Sequence, residues 1–325
     1  MTTFLARLLV LAAAWFAAAA IALAQPFPSK TVKMTAPYSS GSGPTVFMRV
    51  LADKLSTLWG RQAIVEARPG ASGFIAVDAV KNAAPDGYEL LVVSNAHVTI
   101  NPALYKKLPY DPEKDFVPVA TLFNTPFFIT VSSSGPYQSV PALIAAAKAS
   151  PDGITFGTPY VGSPGHLGGA LFASLTGTKM TFVHFKDQSQ LFVSLAGNEL
   201  AWTLASVGTA MSFTKAGRIK FLALAAKQRL KSLPEVPTVE EAGGPAGFEV
   251  DSWLALLAPR GTPQDLVRKI NADVNKVLAD PDMLERIKVM GFEPFPSSPE
   301  QLAELIRVDT IKYGDLVRRT GATAD

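Results

Sequence analysis

Short β-type runs alternate with helical patterns along nearly the whole chain, and that alternation limits the fold to βαβ units around parallel sheets. "VKMTAPY" (32–38), "AIVEA" (63–67) and "YELLVVSN" (88–95) read as strands. Between them, "VFMRVLADKLSTLWG" (46–60) places Phe47, Val50, Leu51, Leu55 and Leu58 on one helical face and stops at Gly60. "SGFIAVDAVKNAAPDG" (72–87) reads as a helix ending in a turn. A second block begins near Phe127 with the strand "FFITVSS", and "ITFGTP", "MTFVHF", "LAWTLAS" and "IKFLALAA" add four more. Its helices are "SVPALIAAAKASP", with Ser139 as N-cap and Pro141 in the first turn, "GHLGGALFASLTG", "SQLFVSLAG" and "GTAMSFTKAG". The tail returns to a strand, "EVDSWLALLAP", and then to three helical patterns beginning at 262, 282 and 298. The first opens with Thr262 as N-cap, Pro263 at N1 and Asp265 at N3.

A chain of 325 residues with 48% hydrophobic and 18% charged residues can bury two domain cores. A formal charge of +3 with no basic run excludes a nucleic-acid footprint. The first 24 residues carry one charge, Arg7, then an apolar stretch, then Ala22-Leu23-Ala24. That is the pattern of a secretory signal cleaved after Ala24, with an N-terminal membrane anchor as the alternative. Losing Arg7 takes the charge from +3 to +2. The chain has no cysteine, so neither a disulfide nor a lipidated cysteine follows export, and a periplasmic protein fits.

The usual catalytic signatures are missing. After Gly41 and Gly43 no P-loop lysine follows, and the third glycine of a dinucleotide loop is absent. Neither "SSGSG" nor "YVGSPGH" has the spacing of a nucleophile elbow. His97, His166 and His184 are scattered, with no metal-ligand spacing, so no cofactor or metal is expected. What remains is four small-residue loops, each after a strand: "YSSGSGPT" (38–45), "SNAHVT" (94–99), "TPYVGSPGH" (158–166) and "ASVGT" (205–209). Strand carboxyl ends are where doubly wound sheets bind ligands, so the four together point to a cleft between two α/β blocks.

Across the mature chain, "PSKTVKMTAPYSSGSGPT", "ARPGASGFIAVDAVKNAAPDGYELL", "NPALYKKLPYDPEKDFVPVA", "GHLGGALF", "KAGRIKFLALAA", "LPEVPTVEEAG" and "LAPRGTP" resemble the extracytoplasmic solute receptors of tripartite tricarboxylate transporters, the Bug-type receptors. The resemblance implies a type II periplasmic-binding-protein fold of two doubly wound α/β domains joined by two crossings. The first domain then comprises 25–126 and 248–325, and 127–247 is inserted. It further implies capture of a small carboxylate, held by backbone N–H groups of loops 38–45 and 158–166, by a monomer that delivers it to a membrane permease.

The candidate ligand-binding residues are Tyr38, Ser40, Gly41, Ser42, Gly43 and Thr45 in the first loop, and Asn95, Ala96 and His97 in the second. Tyr160, Gly162 and Ser163 come from the third, Ala205 from the fourth, and His184 from the end of "MTFVHF". Where the family commonly ends its first loop in Thr-Asp, this chain has Pro44-Thr45; where it commonly has Asp near "LAWTLAS", this chain has Ala205. Both changes argue against an amino-acid ligand and for an aromatic or apolar mono- or dicarboxylate. His184 and His97 each have two readings, ligand contact or structural hydrogen bonding, with Asp187 the local partner for His184. His166 reads as structural, and Tyr38 and Tyr160 as cleft wall or core. A sensor that presents the same ligand and a cleft hydrolase are the competing functions.

Overall fold

The computed structural model describes residues 27–158, 162–185 and 188–324, so the expected signal sequence, Tyr160 and Asp187 lie outside the described residues. Two sheets carry the chain. Strands β1 (Val32–Ala36), β2 (Ala63–Ala67), β3 (Glu89–Ser94), β4 (Phe116–Pro126), β10 (Asp251–Pro259) and β11 (Glu293–Pro294) form one, in the order β11-β4-β10-β3-β1-β2. The other holds β5 (Phe128–Ser132), β6 (Thr155–Thr158), β7 (Thr181–His184), β8 (Trp202–Ala205) and β9 (Ile219–Leu224), in the order β7-β6-β8-β5-β9.

The sheets are mixed, which corrects the all-parallel expectation. β2, β1 and β3 are parallel, as are β7, β6 and β8. β10 runs antiparallel to both β3 and β4, and β5 antiparallel to both β8 and β9. β10 and β5 are the strands by which the chain enters one lobe from the other. They arrive without the helical crossover that a parallel neighbour requires. β4 carries no clear strand signal in the sequence, since Pro118 and Asn124 break its β pattern, and its pairing with β10 shifts register twice.

Alternate residues along β3 and β10 enter opposite cores. Leu90, Val92, Leu254 and Leu256 meet helices α1 (Gly43–Trp59), α7 (Gln264–Leu278) and α8 (Pro281–Val289). Leu91, Val93, Trp253 and Leu257 meet α2 (Phe74–Lys81) and α9 (Pro299–Thr320) on the other face. Such two-sided burial is why these strands read as continuous apolar runs. The second lobe repeats the scheme. α3 (Val140–Ala149) and α4 (Pro164–Thr176) cover one face, and α5 (Gln188–Ala196) and α6 (Val207–Lys215) the other.

A single residue, Phe127, separates β4 from β5, and the chain recrosses into β10 at Asp251. The lobes also share an apolar cluster in which Leu167 of α4 packs with Ile100, Leu104, Tyr313 and Val317 of the first lobe. One local expectation moves by a residue: Pro263, not Thr262, is the N-cap of α7, and the Thr262 hydroxyl donates to the Pro259 carbonyl instead.

Candidate functional site

Three strands with parallel neighbours are each followed by a loop whose serine caps the next helix. After β1, Ser42 accepts from the Thr45 N–H at the start of α1. After β6, Ser163 accepts from the His166 N–H of α4 at 3.0 Å. After β8, Ser206 forms a reciprocal capping box with Thr209 of α6. Pro44 and Pro164 sit in the first turns, where their missing N–H costs nothing. Each cap satisfies one N–H and leaves the positive end of its helix facing outward.

These ends converge on one cavity of about 430 Å³ between the lobes. Gly43 and Pro44 line it from the first lobe; Ser163, Gly165, Ser206 and Thr209 line it from the second, with Gln188 at the start of α5. The strand crossings contribute Thr125, Phe127 and Ser252, and the turn after α8 contributes Met290 and Phe292. Among the described residues no lining residue carries a charge. The cavity therefore offers helix termini, hydroxyls and apolar walls to a ligand, and no described lining residue is an acid that could meet a cation.

A second cavity of about 430 Å³ lies beside the first-lobe loops, with Tyr38, Ala96, His97, Tyr105 and Gly162 in its wall. His97 Nδ1 is 3.0 Å from Ser94 Oγ, and burial pushes its pKa down to about 4, so the imidazole is neutral at pH 7. Tyr38 meets it edge-on at 6.2 Å. The 70–73 turn borders this space with four consecutive positive φ values, Ala71 and Ser72 among them. A larger hollow of about 570 Å³, around Arg260 and Arg307, is on the flank of the first lobe, away from all four loops.

The sequence candidates thus divide. Gly43 and Ser163 line the interlobe cavity, and Tyr38, Ala96, His97 and Gly162 the second one. Ser40 and Gly41 are exposed on the loop, in neither lining. Ser42 and Thr45 are occupied with each other, their hydroxyls 3.1 Å apart, and Thr45 is fully buried. Asn95 is also fully buried, accepting from Ser252 Oγ and donating to the Asp251 carbonyl, so it ties β3 to the second crossing. Ala205 is in the second lobe's core, directly before the cavity residue Ser206.

His184 is exposed at the end of β7, its ring 5.4 Å from that of His166. His166 Nδ1 accepts from the Gly162 N–H at 3.2 Å, and burial, reinforced by His184, pushes its pKa down to about 4. The sequence did not point to Thr125, Phe127, Ser252, Met290 or Phe292. The first three are at strand ends that face the cleft only because the chain crosses there. The last two follow a helix, outside the strand-end pattern.

Among the described residues no group of three potential metal ligands gathers, and no helix is long and apolar enough to cross a membrane. The description "Tripartite tricarboxylate transporter family receptor" belongs to the family model that matches residues 47–322, beginning just past the first loop. BugT of Bordetella pertussis is 30% identical over 97% of this chain and 98% of its own length. A UPF0065 protein of Bordetella bronchiseptica is 32% identical over 97% of this chain and 93% of its own. Among solved structures, R. palustris Rpa4515 with adipate superposes with TM-score 0.79 at 29% identity, covering 91% of this chain and 98% of that one. MatC from Rhodopseudomonas palustris with bound malate gives 0.75 at 29%, covering 90% and 100%. The two-lobed fold, the serine-capped helix ends facing a shared cavity and these full-length likenesses agree: the chain belongs to the tripartite tricarboxylate transporter receptor family, a family of periplasmic solute-binding receptors and not of enzymes.

Proposed function

We propose that this protein is a periplasmic receptor that captures a small organic carboxylate with an aromatic or apolar body and delivers it, as a monomer, to the membrane permease of a tripartite transporter. The observation that carries the ligand class is the uncharged lining of the interlobe cavity, onto which the N-termini of α1, α4 and α6 converge. Helix N-termini favour an anion. An amino acid brings an ammonium group as well, and among the described residues no lining carboxylate meets it. Phe127, Leu204, Met290 and Phe292 supply apolar wall for the rest of the ligand. The adipate and malate in the similar R. palustris proteins are small carboxylates, which supports the same class here.

A carboxylate touching α1 on one side and α4 and α6 on the other bridges the lobes. Binding then favours the closed form in proportion to its preference for that form, and the permease reads the closed form. The lobes divide as 25–126 with 248–325, and 127–247, with the leader removed after Ala24 on export.

A thermal-shift screen of the mature chain against organic acids, amino acids and sugars tests this. A true ligand at ~100-fold excess over Kd adds about 2.7 kcal/mol, an upward shift of a few degrees for a chain of this size. A melting point moved by amino acids or sugars and by no carboxylate would refute the assignment.

A further inference from the structure

The turn after α8 joins the lobes at a contact too close for side chains. A Cβ added to Gly208, at the start of α6, would lie 2.5 Å from the Met290 carbonyl oxygen. A Cβ on Gly291 would lie 2.5 Å from the Gly208 nitrogen. Gly291 also has a φ of +74°, so it is suited to this turn twice over, by conformation and by space. Two residues on, Glu293 accepts from Ser232 Oγ of the second lobe at 2.8 Å.

The two side chains flanking Gly291 both line the interlobe cavity. Phe292 is held by a column of aromatic rings rooted in the first lobe. It stacks on Phe123 with centroids 4.0 Å apart and planes 6° apart, and Phe123 meets the fully buried Phe47 edge-on at 4.7 Å. A Cβ on Gly43 would lie 3.2 Å from Phe292 Cζ, so the ring packs directly on the first residue of α1. One short turn therefore supports the anion-binding helix end, walls the cavity and touches the opposite lobe.

We propose that residues 290–292 are the specificity wall of the receptor: Met290 and Phe292 select the non-carboxylate part of the ligand, and the Gly208–Gly291 contact completes that wall only when the lobes close. This rests on the carboxylate-receptor reading. The wall is formed by the C-terminal segment of the chain, apart from the four strand-end loops. A flat, apolar ligand body stacks on a fixed ring better than a polar or branched one does.

Gly208→Ala perturbs the contact directly: the added Cβ suits α6 but meets the Met290 carbonyl oxygen, so the two lobes must shift apart there. Since the chain has no cysteine, spin labels at Lys148→Cys and Lys276→Cys report the interlobe distance. Gly208→Ala should move that distribution away from the wild-type one. It should also weaken every bound carboxylate by about tenfold or more, as apparent affinity falls with the closed fraction.

Met290→Ala and the milder Phe292→Leu test selectivity against acetate, hexanoate, adipate and benzoate. Each should change the ratio of benzoate to acetate affinity by about tenfold, where a purely structural role would scale all four alike. Unchanged distances and affinities in Gly208→Ala would overturn the closure contact. A common scaling factor in both wall variants would overturn the specificity role. Should the wild type bind none of the four acids, the specificity role as stated here falls, while the thermal-shift screen alone decides the carboxylate reading and the label distances still decide the contact.

Discussion

Acidification should loosen the third loop through His166, and the structure sets both the sign and the size of the effect. The imidazole is only 9% exposed, at the third position of α4, with the Phe182 ring 5.3 Å away. Its Nδ1 accepts the Gly162 N–H, so the fold holds the neutral ring with its proton on Nε2. A proton on Nδ1 would remove that acceptor and place a cation at the positive end of a helix. The folded pKa is about 4, against 6.5 in the unfolded chain.

The contribution is therefore complete above pH 6.5, is lost as pH falls from 6.5 towards 4, and is exhausted below that. Between pH 7.5 and 4.5 this amounts to about 2.5 kcal/mol. His97 titrates in the same direction for the same reason, so the wild-type slope alone does not isolate His166. His166→Gln does, since the amide oxygen can still accept from Gly162 and carries no charge. Urea unfolding followed by fluorescence, in a Trp59→Phe, Trp253→Phe background that leaves the fully buried Trp202 as the reporter, reads the second lobe. Relative to wild type, His166→Gln should gain roughly 2.5 kcal/mol on going from pH 7.5 to 4.5. If the stability difference between the two proteins is the same at both pH values, the imidazole is not a buried neutral group and the reasoning fails.

Asp251, at the second crossing, should act with the opposite sign. Burial raises its pKa to about 6, reinforced by Asp309 and Glu249 and opposed by Lys312 and a hydrogen bond from Asn124, so stability falls as pH rises from about 4 to 6. Asp251→Asn should accordingly stabilise the protein at pH 7.5 by up to about 3 kcal/mol and have little effect at pH 4; equal effects at both would contradict this in the same unfolding assay. Trp253→Phe removes the indole donor 2.7 Å from Asp309 Oδ2, where both residues are buried. The carboxyl is left without that bond, at a cost of about 2–3 kcal/mol in urea unfolding; a loss below about 0.5 kcal/mol would mean that water replaces the indole.

The helices were legible wherever the pattern is local. Ser139 caps α3 and Gly60 ends α1 as read, since capping depends on a few adjacent residues. The cleft was legible only in part. Pro44, Gly165 and Thr209 fall in loops that the sequence singles out, because strand ends and helix starts are local features too. Thr45 shows the limit of that reading: the sequence places it in the first loop but not its hydroxyl, which turns inward to Ser42 because α1 has already begun.

By itself, then, the sequence determined the order of the elements, the two α/β blocks and the small-residue loops at strand ends, because propensity, capping and periodicity act over a few residues. Only the tertiary structure decided that β10 and β5 enter their sheets antiparallel, that β4 is a strand at all, and that the turn at Met290–Phe292 faces the cavity. Those depend on which distant segments come together. The approach of Gly208 to Gly291, 83 positions along the chain, leaves no local trace beyond two glycines.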